Sequence, residues 1–293
     1  MNAGTIRGYA AGIVTGISYG LNPLFAKPLM QQGISVELIL FWRYLLSVLL
    51  LGLVLLPKGR FRVNGRQSVR LLLIGLLFTL SSLFLFASYN FISSGVATTI
   101  VFLYPVFVAL IMVMMKVYPS WQVWLSIVLC FLGVLLLCHH DASEGLQLSG
   151  LLLAAASALS YAFFIVIVNR STRLRSLPSN TLTFYTLVVG SVIFLAMMLV
   201  KGLSPFGMEF NLRNLLCLAG LAVFPTIIST STLAASTRLI GATKASVLGV
   251  FEPITAIAVG TLAFGEPFTA WIAAGITITI AAITFMVVSG NCR

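Results

Sequence analysis

Charge is what this sequence has least of. Lys, Arg, Asp and Glu make up 8% of its 293 residues, against about 25% in an ordinary soluble domain. Only six side chains are acidic. A soluble chain cannot clothe its surface with so few charges. Histidine occurs only as His139 and His140, in "CHHD" (138–141) at a helix end. That is short of the three or four converging ligands a metal site needs, so neither metal nor cofactor is expected. The four cysteines show no CxxC spacing and read as free thiols in apolar surroundings. No GxxxxGK[ST] loop is present, which excludes a built-in nucleotide-binding loop of that type. No Ser/His/Asp or Cys/His constellation lies in the apolar runs, so the chain does not read as an enzyme. Long polar linkers are missing too, which leaves no room for a soluble domain.

What is present is hydrocarbon. Hydrophobic residues make up 60% of the chain. A bilayer core of about 30 Å takes roughly 20 apolar residues per helix. Ten runs meet that length: 7–27, 36–56, 70–90, 96–115, 121–138, 148–168, 181–200, 213–234, 243–264 and 269–289. The first is too long and continuous for a cleaved signal peptide. The runs lack the alternation of a membrane β-barrel, so the expected fold is all-α and integral to the membrane. The net charge of +11 does not gather into one nucleic-acid-binding patch; Lys and Arg sit at the ends of the runs. With the N-terminus placed in the cytoplasm, thirteen of the seventeen fall in cytoplasmic segments. Lys27, Lys201 and Arg213 fall outside, and Arg43 lies within a run. This bias predicts ten helices with both termini inside.

The halves of the chain resemble each other. At an offset of 148, "ASYNFISSGVATTIVFLYPVFVAL" (87–110) meets "ASTRLIGATKASVLGVFEPITAIA" (235–258), with Pro105 on Pro253, and further on Pro119 meets Pro267. Upstream, Tyr19 meets Tyr161. Residues 7–138 and 148–289 are therefore read as two five-helix repeats. Five is odd, so the second copy enters the membrane inverted. Inverted repeats mark alternating-access carriers, with a site near the midplane between the repeats.

The motifs "FWRY" (41–44), "GVATTIVFLYPVFVAL" (95–110) and "GATKASVLGVFEPITAIAVGTLAFGEP" (241–267) resemble the drug/metabolite transporter superfamily, and in particular its ten-helix carriers built from two EamA domains. The first repeat departs from that pattern, with Tyr104 and Tyr118 standing where the second has Glu252 and Glu266. The resemblance implies a central cavity lined mainly by the first, third, fourth, sixth, eighth and ninth helices. It also implies an inner-membrane carrier of a small organic solute (an amino acid, a related metabolite or a drug), often an exporter. A lipid-linked flippase and a membrane-embedded enzyme stand as alternatives.

The candidate site starts at Glu252. Eight residues separate it from Lys244, about 12 Å of helical rise from the inner edge, so it lies near the midplane. A charge there is costly unless paired, wet or neutralised by a proton. Glu252 is thus the candidate for a proton or a cationic group, and proton coupling is an expected partner of transport. Arg43, roughly 10 Å deep from the other side, is either its ion-pair partner or an anchor reaching back to the interface. Pro23, Pro105 and Pro253 each remove a backbone donor within an apolar run, and are read as kinks or gates. Thr15, Ser18, Tyr19 and Asn22 share one helix face. Tyr19, Asn22, Tyr104, Tyr161, Ser229 and Phe251 complete the expected substrate-binding set. Hydroxyl and small residues also pack membrane helices together, and Trp42 reads equally as a membrane-interface residue.

Overall fold

A computed structural model describes residues 3–58, 63–116, 147–171, 174, 177–240 and 248–289, with separate positions between 121 and 136. The described residues contain helices and no strand. They are α1 Ala3–Gly20, α2 Asn22–Met30, α3 Val36–Leu55, α4 Gly65–Ser88, α5 Ser94–Val101, α6 Tyr104–Met114, α7 Leu148–Arg170, α8 Ser179–Val200, α9 Leu212–Ala222, α10 Ser229–Ile240, α11 Phe251–Phe264 and α12 Ala270–Ser289. Six stretches among them are long and apolar enough to cross a bilayer, including the compound runs Ser94–Met114 and Leu212–Leu233. Exposed leucines and valines such as Leu53, Leu72, Val200 and Leu216 cover their outer faces, as a lipid-facing surface requires. The expected run 121–138 falls largely outside the described residues.

The helix ends follow local chemistry. Asn64 and Gln67 form a capping box at the start of α4, satisfying donors that a helix start leaves unpaired. Asn211 Oδ1 accepts from Asn214 N at 2.9 Å at the start of α9. Gly265, at φ 65°, ends α11 in the left-handed conformation that glycine adopts without penalty.

Three of the expected continuous helices are interrupted, each at a proline. The run 7–27 breaks at Leu21, the run 96–115 at Phe102–Leu103, and the run 213–234 passes through a π-helical turn, Val223–Ile228, around Pro225. Pro23 and Pro105 then occupy the first turn of α2 and α6, where a missing N–H is harmless. α11 likewise starts just ahead of Pro253. The carbonyl that each proline strands is met locally in three cases. Asn22 Nδ2 donates to Tyr19 O at 2.9 Å, Thr226 Oγ1 donates to Leu221 O at 2.9 Å, and Glu252 N donates to Gly249 O at 2.9 Å. In a membrane these repairs matter because no water can substitute.

The halves of the chain interlock. α4, α5 and α6 of the first half pack on α7 of the second. α1 of the first half packs along α10 and α11 of the second, and α3 packs on α8. Glycine sets one of these contacts. A Cβ on Gly16 would stand 2.8 Å from Phe251 Cβ, and one on Gly20 would stand 2.5 Å from Glu252 O. With Gly8 and Gly12 they form a four-residue-spaced stripe that lets α1 lie directly on α10 and the start of α11. This is the small-residue packing that membrane helices favour. α4–α7 form one bundle and α1, α10 and α11 another, joined in part where α5 meets α11, while α8 packs on α3 and α4 and α9 on α2 and α3.

Candidate functional site

Glu252 lies in the first turn of α11, directly before Pro253. α1 lies so close on this turn, through Gly16 and Gly20, that the acid's backbone is held against it. The side chain is half-buried. Among the described residues its carboxylate makes no ion pair and no hydrogen bond; the ion pairs there are Lys27–Glu266 and Lys201–Glu37.

Tyrosines surround it. Tyr19 on α1, Tyr104 on α6 and Tyr161 on α7 lie within Coulombic range of the carboxylate, as does Tyr89 just beyond α4. Tyr104 and Tyr161 meet edge to face with ring centroids 5.0 Å apart. Tyr161 stacks on Phe164 at 5.8 Å. Tyr19, Tyr104 and Tyr161 are half-buried like Glu252. Aromatic faces carry negative quadrupole density and attract cations, so the ring adds to the pull of a carboxylate on a positive group.

Arg43 does not pair with Glu252, nor does it reach back to the interface. It is 2% exposed. Its Nε donates to Thr226 Oγ1 at 2.9 Å, and its guanidinium carbon stands 5.4 Å from the Phe86 ring centroid and 5.9 Å from that of Tyr44. Thr226 can accept because its own proton goes to Leu221 O, the carbonyl stranded by Pro225. The π-helical turn thus creates the acceptor that holds Arg43. Tyr19 and Tyr89 lie within Coulombic range of both Arg43 and Glu252, and the two charges do not pair with each other.

The other expected residues divide. Asn22 is 2% exposed, and its amide nitrogen serves the Tyr19 carbonyl while its Oδ1 is buried without a partner. Ser229 is 3% exposed at the start of α10, and no contact ties it to the tyrosine ring. Phe251 lies against Gly16 of α1. Pro23, Pro105 and Pro253 sit at the start of the helix segments that carry Asn22, Tyr104 and Glu252. Of the stripe on α1, Thr15 bonds Thr232 at 2.8 Å; on α7, Ser157 donates to Ser81 O at 2.7 Å. Both hold helices together. Trp42 donates from Nε1 to Pro205 O at 2.9 Å and packs edge-on to Phe206 and Phe210, fastening the 201–211 connection to α3. The "CHHD" segment lies outside the described residues.

Thr226 lies with Ser229 and Thr230 on a polar helix face that the sequence shows, but its pairing with Arg43 and the glycine stripe of α1 were not among the expectations. The four-residue spacing of Gly8, Gly12, Gly16 and Gly20 is visible in the sequence and could have marked the packing face. Nothing in the sequence points Thr226 at Arg43.

A family model described as the EamA-like transporter family matches residues 6–138 and 148–288. The uncharacterized transporter YdfC of Bacillus subtilis (strain 168) is 26% identical over 202 residues, which is 68% of this chain and 64% of that protein. The uncharacterized transporter sll1319 of Synechocystis sp. (strain ATCC 27184 / PCC 6803 / Kazusa) is 29% identical over 201 residues, 67% of this chain and 59% of that protein. The chain thus spans about three fifths of the length of these curated relatives. A crystal structure that is 14% identical superposes with a TM-score of 0.69, covering 99% of this chain and 98% of its own, so the fold is shared.

Proposed function

Since the chain belongs to the EamA-like transporter family, we propose that it is a secondary transporter that moves a small organic solute by alternating access, with export as its direction. The observation that carries this is Glu252: a carboxylate with no partner among the described residues, half-buried, with Tyr19, Tyr104 and Tyr161 within Coulombic range. An interior acid without a counter-charge is costly. A carrier uses that cost, because a proton or a cationic group on the solute then binds there with advantage. Arg43, held by Thr226 and within Coulombic range of the same Tyr19, is the matching position for an anionic group. Tyr104 and Tyr161 bind the solute's apolar body; Asn22, Ser229 and Phe251 support the cavity wall. Pro23, Pro105 and Pro253 are the pivots at which helix segments swing.

The surrounding frame is ten membrane-spanning helices in two inverted repeats, 7–138 and 148–289. The thirteen-to-three bias of basic residues supports cytoplasmic termini, and the protein resides in the inner membrane. The experiment is transport of a panel of amines, zwitterions and organic cations by purified protein in liposomes under an imposed pH gradient. The wild type should accumulate its solute in response to the gradient. Glu252→Gln should lose that response while retaining solute exchange. Transport that ignores the gradient would sink the proton coupling; absence of any protein-dependent flux across the panel would sink the carrier reading.

A further inference from the structure

Glu266 is a second acid in an interior position, and unlike Glu252 it is fully engaged. Gly265 turns the chain back after α11, so that Glu266 N donates to Gly260 O at 3.0 Å. The side chain then folds along its own helix over Gly260, where any Cβ would collide with its carboxylate. Passing that gap, the carboxylate reaches the start of α5. It accepts from Ser94 Oγ at 2.8 Å, from Ser94 N at 3.0 Å and from Gly95 N at 3.5 Å, a helix N-terminus whose dipole favours an anion. Lys27 of α2 completes the group by an ion pair with the same carboxylate, its ammonium also lying 5.3 Å from the Phe264 ring centroid. Immediately below, Gly95 meets Ile257 of α11, where an added Cβ would stand 2.7 Å from Ile257 Cγ1.

These contacts tie α5 of one bundle to α11 of the other. The repeat makes the arrangement one-sided. At the offset of 148 that pairs Pro105 with Pro253, the counterpart of Glu266 is Tyr118, and that of Ser94 is Ala242; both lie outside the described residues. The carboxylate and the hydroxyl of this clasp are therefore both missing from the sequence of the other copy.

We propose that Glu266, with Lys27 and the α5 N-terminus, is a latch that holds the outer gate shut in the unloaded protein. This rests on the transport reading and orientation given above. Opening outward requires α5 and α11 to part, which strips the carboxylate of Lys27 and three backbone and hydroxyl donors together. Sealing the outer face in the unloaded state keeps the interior acid from external solvent until a loaded carrier offsets that cost.

The test is accessibility, which needs no known substrate. Thr98 lies one turn inward of Ser94 on α5 and is 2% exposed. Thr98→Cys, in a background with the four native cysteines replaced, is labelled with a membrane-impermeant thiol reagent in right-side-out and in inside-out vesicles. Glu266→Gln should raise the labelling rate from the outside about tenfold, the factor carried by ~1.4 kcal/mol of lost closure. Ser94→Ala, which removes one donor and leaves the carboxylate, should raise it less. Unchanged outside labelling in Glu266→Gln, in protein that is monodisperse and equally abundant, overturns the latch even if transport is intact. Acceleration confined to inside-out vesicles overturns the orientation instead. Faster outside labelling in a protein that moves no solute on the panel supports the latch and counts only against the carrier reading.

Discussion

Thr226→Val tests the chain of cause that runs from Pro225 to Arg43. Valine matches threonine in shape and removes only the hydroxyl. Two bonds end on that hydroxyl: it donates to Leu221 O and accepts from Arg43 Nε, both at 2.9 Å. Leu221 O cannot turn to the backbone donor four residues on, because Pro225 has none. A side-chain bond of this kind inside a membrane protein is worth about 0.6 to 1.7 kcal/mol. Arg43 loses an acceptor for a charged donor while 2% exposed, and leaving such a group unmet costs about 1–3 kcal/mol. Its contacts with the Phe86 and Tyr44 rings remain, which sets the expected total at roughly 2–4 kcal/mol. Thr226→Ser keeps both bonds and loses one methyl, so it should cost about 1 kcal/mol at most. The assay is the midpoint of thermal aggregation, followed by size-exclusion in detergent, for wild type, Thr226→Ser and Thr226→Val side by side. A clear drop for valine alone is expected. Equal midpoints for valine and serine would refute the reasoning, since the repaired carbonyl and the held guanidinium would then contribute nothing measurable.

Three further outcomes follow from the packing. Gly20→Ala places a methyl 2.5 Å from Glu252 O and 2.6 Å from Thr255 Cβ; prising α1 from α11 should cost about 1–3 kcal/mol in the same thermal assay, whereas Gly4→Ala, with open space around it, should be neutral. Gln32→Leu removes the partner that both donates to Asn214 Oδ1 and accepts from its Nδ2; Asn214 is fully buried, so a loss of about 1–2 kcal/mol is expected, and an unchanged midpoint would count against the pairing. Burial pushes the Glu266 carboxyl upward in pKa, but Lys27 and the Ser94 donors outweigh it and hold the group below the usual carboxylate range. The sign is that of a depressed acid: its contribution is complete above the ordinary carboxylate pKa and fades as pH falls through its own lower value. The ratio of outside labelling of Thr98→Cys with Glu266 to that with Glu266→Gln, which cancels the thiol's own ionisation, should therefore stay constant from neutral to mildly acidic pH, and a rise of that ratio already near neutrality would contradict that ion pair.

How far the sequence could be read depended on the range of the physics. A low charge content forces a hydrocarbon environment whatever the fold, and run length forces helices, because only they satisfy their own backbone in lipid. A proline strands a carbonyl four residues back in any helix, so the breaks near Leu21, near Phe102 and around Pro225 were local consequences legible at positions 23, 105 and 225. The position of Glu252 in the apolar run 243–264 marked it for the same reason. What the sequence by itself determined is thus the membrane-spanning helical character, the sites of interruption and the lone acid of the run 243–264. The tertiary structure alone decided which charge meets which partner. Run lengths put Arg43 and Glu252 about 8 Å apart in depth, within combined side-chain reach, but depth says nothing about the side each helix presents. Thr226, 183 residues from Arg43 in sequence, takes the guanidinium because α3 packs on α9 and the turn beyond it. Glu266 meets Ser94 and Lys27 across 172 and 239 residues because α11 lies between α1 and α5. Such choices come from helix packing, whose energies are short-ranged in space and indifferent to separation along the chain.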